Sequence, residues 1–436
     1  MSSIIEFFRE ANLILSVPST VIFLVAGIFL TFKTRFLQVR SIPRFFKILR
    51  RGVAEKKQQG VRTMSSTYAL FTAMATTLGM GNVVAPSVAI LAGGPGALFW
   101  LVVYAFFSSV TKFTEVTFAI RTREKKSDGR LVGGPAQYLR YISPVLGVWY
   151  GVLTLVLFPG WCAMQSNTLA EVLSFEGVAP WMTGVGLAVL LLAIIFGGVS
   201  RVGNVASKLV PIMFVLYIVF ASTILFANSG LLVHALGLVF KHAFTPCAAA
   251  GGFLGSSVYA ALSSGVYRGI YITEAGIGTS SIPHALADVK RATDQGVLAM
   301  FSVAADATLS IVSGLLVLVT GIWLKTDNFT TAMIYHVFKA HSPFWGKYIL
   351  ILSIALLVFS TILGNSFNGA QMFISFFKYR FIKIYYIILG IVVFFGAIAN
   401  VRLVWDITEI ILALVAIPNL IGLIVLSIKR GNVLKE

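Results

Sequence analysis

Apolar runs of bilayer length recur along the whole chain and restrict its fold more than any other feature. Charged residues make up 11% of the 436 residues, against roughly 25% in soluble domains, and the mean hydropathy is +0.90. About 20 apolar residues cross a bilayer as a helix, because lipid offers no partners to free backbone groups. The sequence therefore predicts an all-α integral membrane protein with about eleven transmembrane helices, at 12–31, 64–91, 95–120, 144–172, 180–199, 208–228, 252–285, 294–323, 346–376, 382–400 and 404–428.

Basic residues are concentrated in alternate loops between these runs. The formal net charge is +18, and of the 34 Lys and Arg residues ten lie in 33–62 and six in 121–140. Basic loops stay cytoplasmic during insertion, so the pattern predicts an N-terminus outside and a C-terminus inside. The membrane is expected to be a bacterial plasma (inner) membrane. The same placement argues against a nucleic-acid partner. The run 12–31 lacks a preceding basic segment and a small-residue cleavage site, and we interpret it as a retained helix.

Two glycine-broken stretches share one residue pattern. TTLGMGNVVAP at 76–86 and TEAGIGTSSIP at 273–283 both read Thr-x-x-Gly-x-Gly-x-x-x-x-Pro, 197 residues apart. The spans that carry them cross the membrane in opposite directions, which is typical of an inverted repeat. The predicted organisation is an extra N-terminal helix with its basic loop over 1–62, five-helix repeats over 63–230 and 231–428, and a cytoplasmic tail over 429–436.

Breaks of this kind have a chemical use at membrane depth. They free backbone groups that lipid cannot satisfy. The N-terminus of a half-helix can bind a carboxylate, and unwound carbonyls can bind a cation. Glycine is also a common packing residue in transmembrane helices, but the repetition with matching Thr and Pro favours broken helices that build a ligand site.

Several segments resemble the alanine or glycine:cation symporter family, often described as sodium:alanine symporters. They are LGMGNVVAPSVAILAGGPGALFWLVVYAFFSSVTKFTE, GGPAQYL, MQSNTLA, RGIYITEAGIGTSSIPHA and FSTILGNSF, in the family's order between about 60 and 425. The resemblance implies a LeuT-like five-plus-five inverted repeat. It also implies transport of a small neutral amino acid, D or L, with sodium as the co-transported ion.

The resemblance also assigns positions in this chain. The substrate carboxylate is expected at Thr77, Gly79, Met80 and Gly81, in a turn closed by Asn82. Four further positions are expected to face the substrate: Gln165, Thr273 towards the amino group, Gly276 and Ile277. The sodium ion is expected between the carbonyls of Ala75 and Leu78 and the hydroxyls of Ser360 and Thr361.

The chain departs from the family's pattern within this pocket. Family members usually carry Asn or Asp at the position of Thr273, Thr at that of Met80 and an aromatic residue at that of Asn365. Asn365 would make the pocket wider and more polar. We therefore expect Asn365 to contact a substrate that is larger or more polar than alanine; a hydrogen bond between helices is the alternative role of its side chain.

Ionisable residues within the spans are few and need partners there. Lys112 and Glu115 lie three apart on one helix face and are expected to pair. Arg268 is a candidate partner for Glu274, which is expected to cap the unwound turn. Glu274 and Asp306 leave proton coupling open as an alternative to sodium.

Other classes of function fit the sequence less well. No nucleophile with a base, and no metal-binding set, lies at membrane depth in the sequence, which argues against an enzyme. A channel would need a continuous polar pore, whereas an inverted repeat indicates alternating access. The oligomeric state does not follow from the sequence.

Overall fold

The chain folds almost entirely into helices. The computed structural model describes residues 2–51, 63–245, 258–324, 332–341, 344–399 and 401–434. The end of the basic loop 33–62, the start of the span 252–285 and the last residues of the tail lie outside them. The helices are α1 (Ser2–Lys33), α2 (Leu37–Arg40), α3 (Ile42–Arg51), α4 (Ser66–Thr77), α5 (Met80–Gly93), α6 (Ala97–Arg121), α7 (Pro135–Arg140), α8 (Pro144–Ser174), α9 (Pro180–Ile195), α10 (Val199–Ala227), α11 (Ser229–Phe244), α12 (Val258–Thr273), α13 (Ser281–Ala285), α14 (Ala292–Thr320), α15 (Ala332–His341), α16 (Gly346–Phe376), α17 (Ile382–Ile398) and α18 (Val401–Lys429).

Short elements complete the described part of the chain. Two strands, β1 (Glu124–Lys125) and β2 (Leu131–Val132), form an antiparallel hairpin in the basic loop after α6. Three single turns of 3-10 helix cover Ile322–Leu324, Tyr379–Phe381 and Gly431–Leu434.

Every predicted span coincides with one of these helices or with a broken helix. Among the described residues, seven helices are long and apolar enough to cross a membrane. The pair α4 and α5 forms an eighth span that bends by 40°. The prediction of a helical, multi-span protein is confirmed, whereas the count of eleven stays a prediction.

Helix packing follows a two-fold pattern between the two halves of the chain. Three pairs of helices in corresponding positions pack together: α6 with α14, α8 with α16, and α9 with α17. In addition α10 packs on α16, and α18 packs on α8 in the matching way. The halves therefore interlock, which is the arrangement expected when two repeats cross the membrane in opposite directions.

The two broken helices lie side by side at the centre of this arrangement. The half-helix α5 packs against α12, and α4 packs against α13. The breaks after Thr77 and Thr273 therefore face each other between the halves. Helix α1 lies outside, against α18 and α6.

Candidate functional site

The first break leaves free N–H groups at the start of a half-helix. Helix α4 ends at Thr77 and α5 starts at Met80. The N–H of Gly79 donates to Asn82 Oδ1 at 3.2 Å, so Asn82 closes the turn. Within the described part of the chain, the N–H groups of Met80 and Gly81 have no hydrogen-bond partner. Such N–H groups at a helix N-terminus form a site for an anion.

Gly79 is required at this break by a close contact. A Cβ atom at Gly79 would lie 2.5 Å from Thr361 Oγ1 on α16. A Cβ at Gly81 would lie 3.7 Å from Tyr271 Cδ1, an ordinary contact distance. A side chain at Gly79 would therefore collide with its neighbours, whereas a side chain at Gly81 would not.

The second break is longer and has a different backbone. Residues 274–280 separate α12 from α13. Glu274, Gly276 and Gly278 have φ values of 50°, 98° and 90°. This left-handed region is open to glycine but rarely adopted by other residues. The two copies of one sequence pattern thus unwind to different extents.

Side chains from other helices satisfy the backbone groups freed at the second break. Tyr104 and Tyr150 donate to the carbonyls of Ala275 and Ile277 at 2.9 Å each. The remaining bonds run from Lys112 Nζ to Thr273 O (2.9 Å), from Gly276 N to Glu115 Oε1 (2.9 Å), from Asn419 Nδ2 to Gly276 O (2.9 Å) and from Asn368 Nδ2 to Thr279 O (3.3 Å). This break is therefore fixed by the protein itself.

A cavity lies between the two breaks. Its lining consists of Thr76, Thr77, Gly79, Gly81, Trp161, Met164, Gln165, Tyr271, Glu274, Thr361 and Asn365. Six of these were predicted as substrate or sodium contacts: Thr77, Gly79, Gly81, Gln165, Thr361 and Asn365. The structure thus brings together residues from α4, α5, α8, α12 and α16.

Other predicted residues lie outside this lining. The Thr273 hydroxyl donates to Gly269 O of its own helix at 3.0 Å. A Cβ at Gly276 would lie 2.6 Å from Phe23 Cε1, so this residue faces α1. Ile277 is held through its carbonyl by Tyr150 on α8. Met80 and Asn82 are buried beside the first break.

Five lining residues were absent from the predicted contact set. One of them, Thr76, lies next to the predicted Thr77, and its hydroxyl donates to Ala73 O at 2.7 Å. Trp161 lies four residues before Gln165 on the same face of α8, so helical spacing from Gln165 could have indicated it. Met164 directly precedes Gln165, and helical spacing does not indicate it. Tyr271 stacks on Trp405, with ring centroids 5.4 Å apart. Glu274, read from the sequence as a cap, lines the cavity with a carboxylate that accepts from Thr279 Oγ1.

Three polar groups of the cavity wall are buried without a partner among the described residues. They are Gln165 Oε1, Asn365 Oδ1 and Trp161 Nε1. A buried polar group without a hydrogen bond costs about 1–3 kcal/mol. A ligand with complementary polar groups would relieve that cost.

Two of the expected ion pairs are wrong. The partner of Lys112 is Asp306, at 3.7 Å from Nζ to Oδ2, because Glu115 accepts from the second break. The partner of Arg268 is Glu409, at 3.3 Å, because Glu274 turns towards Thr279 in the left-handed backbone.

Two of the predicted sodium ligands, Thr361 and Leu78, lie together where α16 crosses the first break. Thr361 Oγ1 lies 3.3 Å from the carbonyl of Leu78. A Cβ at Gly364 would lie 3.1 Å from the carbonyl carbon of Ala75, so α16 approaches α4 closely there. Ser360 Oγ donates to Leu357 O at 2.9 Å and lies 3.0 Å from Met213 Sδ. The sulfur is a soft neighbour for a hard cation, whereas the oxygens suit one.

A family model matches the whole chain. The model of the sodium:alanine symporter family covers residues 1–436. The sodium/alanine symporter AgcS of Methanococcus maripaludis is 34% identical, over 93% of this chain and 91% of the relative. The probable sodium/glutamine symporter GlnT of Bacillus subtilis is 33% identical, over 95% of this chain and 87% of the relative.

Solved structures share the fold. MhsT in complex with L-phenylalanine matches with a TM-score of 0.60 at 16% identity, over 85% of this chain and 90% of that one. A Na⁺-coupled sialic acid symporter in its substrate-bound outward-open state matches with a TM-score of 0.59 at 14% identity, over 92% and 82%. The expected LeuT-like fold is thereby confirmed.

Proposed function

Because this chain belongs to the sodium:alanine symporter family, we propose that it imports a small neutral amino acid together with sodium by alternating access. The observation that carries this proposal is the cavity between the two breaks. Gly81 and Glu274 line this cavity, from the first and the second broken helix. The free N–H groups of Met80 and Gly81 begin α5 there. The two features match the opposite charges of an amino-acid zwitterion.

Each end of the substrate has a physical partner in this arrangement. The substrate carboxylate accepts hydrogen bonds from the N–H groups of Met80 and Gly81, which lie at the positive end of the α5 dipole. The ammonium binds the Glu274 carboxylate. This role was expected for Thr273, whose hydroxyl is directed to its own helix. Gly276 and Ile277 lie outside the cavity lining and support the pocket as part of the hydrogen-bonded second break.

The coupling ion belongs next to the substrate. We place sodium at the carbonyls of Ala75 and Leu78 and the hydroxyls of Ser360 and Thr361. Thr361 both lies against the Leu78 carbonyl and lines the cavity. An ion bound there would fix the backbone at Gly79 that also positions the substrate, so each ligand would favour binding of the other.

The side chain of the substrate is proposed to be polar. Asn365, Gln165 and Trp161 each present a buried polar atom without a partner in the described structure. A hydroxyl or carboxamide on the substrate would pair with these groups, whereas the methyl group of alanine would leave them unpaired. Relatives named for alanine and for glutamine fall in the same family.

The proposal includes the placement of the chain. We place the chain in a bacterial plasma membrane. The basic loops favour an orientation with the N-terminus outside and the C-terminus in the cytoplasm. The repeats are proposed to span 63–230 and 231–428, with 1–62 as an addition and 429–436 as a tail.

Uptake into liposomes tests the proposal. The purified protein is reconstituted, and uptake of labelled alanine, glycine, serine and glutamine is followed under an inward sodium gradient or an equal potassium gradient, with and without a pH gradient. Accumulation above equilibrium that requires sodium is expected, with serine and glutamine competing well against alanine. Competition by alanine and glycine alone would contradict the polar pocket.

Two other mechanisms give different results in the same experiment. A proton-coupled transporter would accumulate substrate with the pH gradient and ignore sodium. A channel would equilibrate substrate down its own gradient and would never concentrate it. Either result would overturn sodium coupling.

A further inference from the structure

Lys112 is a fully buried lysine at the level of the two breaks. Its side chain is 1% exposed, and that of Asp306 on α14 is 0% exposed. An ammonium group in the membrane interior costs several kcal/mol unless it is paired and hydrogen-bonded. The position of Lys112 therefore requires a reason beyond packing.

The contacts of Lys112 are those of a bound monovalent cation. Its Nζ donates to the carbonyl of Thr273 at 2.9 Å and lies 3.7 Å from Asp306 Oδ2. Thr273 is the last residue of α12, so this carbonyl lies at the negative end of a half-helix. Half-helix C-termini and unwound carbonyls are the groups that hold coupling ions in broken-helix transporters.

Hydrogen bonds of Asn82 connect Asp306, the partner of Lys112, to the first break. Asn82 Nδ2 donates to the backbone carbonyl of Asp306 at 3.3 Å, and Asn82 Oδ1 accepts from Gly79 N at 3.2 Å. The Asp306 side chain is fully buried, and its Oδ2 lies 3.7 Å from Lys112 Nζ. The pair thus links both broken helices to α14 and leaves a carboxylate whose charge is balanced by the ammonium.

The other acidic groups nearby have their own partners. Glu115 Oε1 accepts from Gly276 N and from Asn419 Nδ2, at 2.9 and 3.0 Å. Glu274 accepts from Thr279 and lies 3.5 Å from Thr76 Oγ1. Among the described residues, Asp306 is the acidic side chain within ion-pair distance of Lys112.

We propose that the Lys112 ammonium is a built-in cation that takes the place of a second co-transported ion between the broken helices. Because it is tethered, it fills this position in every transport cycle and is never released. The transporter then needs only the sodium ion at the first break. This inference rests on the proposed sodium-coupled uptake and adds its stoichiometry.

The ratio of sodium to substrate tests the inference. In proteoliposomes, the reversal potential of amino-acid flux is expected to give about one sodium ion per amino acid for the wild type. Lys112→Met keeps the length of the side chain and removes the charge. The Thr273 carbonyl and the Asp306 carboxylate would then bind a sodium ion. The number of sodium ions per amino acid would rise to about two, and so would the order of the uptake rate in sodium concentration.

A double variant provides the matched control. Lys112→Met with Asp306→Asn removes both charges, so no second ion is needed and the ratio is expected to return to about one. A merely structural ion pair would change protein yield or uptake rate but not the sodium order. An unchanged order in Lys112→Met would overturn the inference.

Two further readouts keep the test decisive. If Lys112→Met does not fold, the wild-type ratio decides, because about two sodium ions per amino acid would contradict a built-in cation. In the purified variant, sodium should raise the thermal midpoint more steeply than in the wild type. Failure of the proposed function itself is distinguishable, because the wild type would then show no sodium-driven uptake.

Discussion

Gly79 lies where α16 comes closest to the first break, and its missing side chain is a structural requirement. Gly79→Ala would place a methyl group 2.5 Å from Thr361 Oγ1. Overpacking of this kind costs about 1–3 kcal/mol, which corresponds to roughly a tenfold to hundredfold loss of affinity. Initial rates of sodium-driven uptake at several substrate concentrations measure the effect.

Gly237→Ala is the matched control for that variant. Gly237 lies in α11, and a Cβ there would meet nothing within 4 Å. Its uptake is expected to equal that of the wild type. Equal uptake by Gly79→Ala would show that α16 does not press on the first break.

Glu274 carries the proposed contact to the substrate ammonium. Glu274→Gln keeps the shape and removes the charge, and hydrogen bonds to charged groups contribute about 1.5–3 kcal/mol. The KM for uptake is therefore expected to rise by roughly tenfold or more. Glu124→Gln, in the exposed hairpin beside Arg140, is the control and should leave KM unchanged. A KM unaltered in Glu274→Gln would remove this residue from the site.

At the residue scale, the sequence predicted which residues lie near the cavity better than it predicted where their side chains point. Thr77, Gly79, Gly81, Gln165 and Asn365, which the sequence predicted as substrate contacts, line the cavity. Thr273 does not, because its hydroxyl donates to Gly269 O of its own helix. Gly276 and Ile277 do not either, because the break contains three left-handed residues, Glu274, Gly276 and Gly278. Backbone dihedrals thus decide which side chain faces the cavity, and no local residue pattern specifies them.

The two broken helices differ as elements although they share one pattern. Two residues separate the half-helices at the first break, and seven at the second. The matching Thr, Gly and Pro residues predicted both breaks. The side chains that occupy the second break come from α6, α8, α16 and α18, far along the chain, and such contacts cannot be inferred from one segment of sequence.

Replacement of Asn419 tests whether side chains of the protein hold the second break in place. Asn419 donates to Gly276 O and Glu115 Oε1 and accepts from Tyr138 at 2.6 Å. Asn419→Ala would leave buried groups unpaired, at about 1–3 kcal/mol each. A clearly lower midpoint of thermal unfolding is expected. Asn204→Ala, on an exposed face of α10, should unfold as the wild type does, and equal midpoints for both variants would contradict the assignment.

A polar cluster fixes α15 to the end of α8. Lys347 donates to Glu176 Oε2 at 2.7 Å, and Tyr335 donates to Oε1. The hydrogen bond from Lys347, followed by that from Tyr335, lowers the pKa of Glu176. A lowered carboxyl pKa stabilises the fold above the ordinary value of about 4.3, and this contribution is lost as the pH falls through the lowered pKa.

The pH dependence of unfolding tests this cluster. Glu176→Gln is expected to lower the thermal midpoint slightly at pH 7, because exposed pairs contribute only about 0–1 kcal/mol. The difference from the wild type should vanish once the pH falls below the lowered pKa of Glu176. A difference that persists in acid would assign the effect to packing instead of charge.

At the scale of the whole molecule, composition and periodicity were sufficient for the fold class. Apolar runs of bilayer length and basic alternate loops predicted a helical, multi-span membrane protein, which the structure confirms. The repeated glycine pattern predicted two inverted halves; the packing of α6 on α14 and of α8 on α16 was not predicted. The ion pair between Lys112 and Asp306 was not predicted. It joins helices from different halves, and only the assembled fold brings them together.

Binding of three related compounds to the purified protein tests the central claim most directly. Alanine is a zwitterion, alaninamide lacks the carboxylate, and propionate lacks the ammonium. Titration calorimetry in sodium chloride and in potassium chloride compares them. The account predicts binding of alanine in sodium only, and no comparable binding of either analogue. Equal binding of an analogue, or of alanine in potassium, would contradict a zwitterion site coupled to sodium.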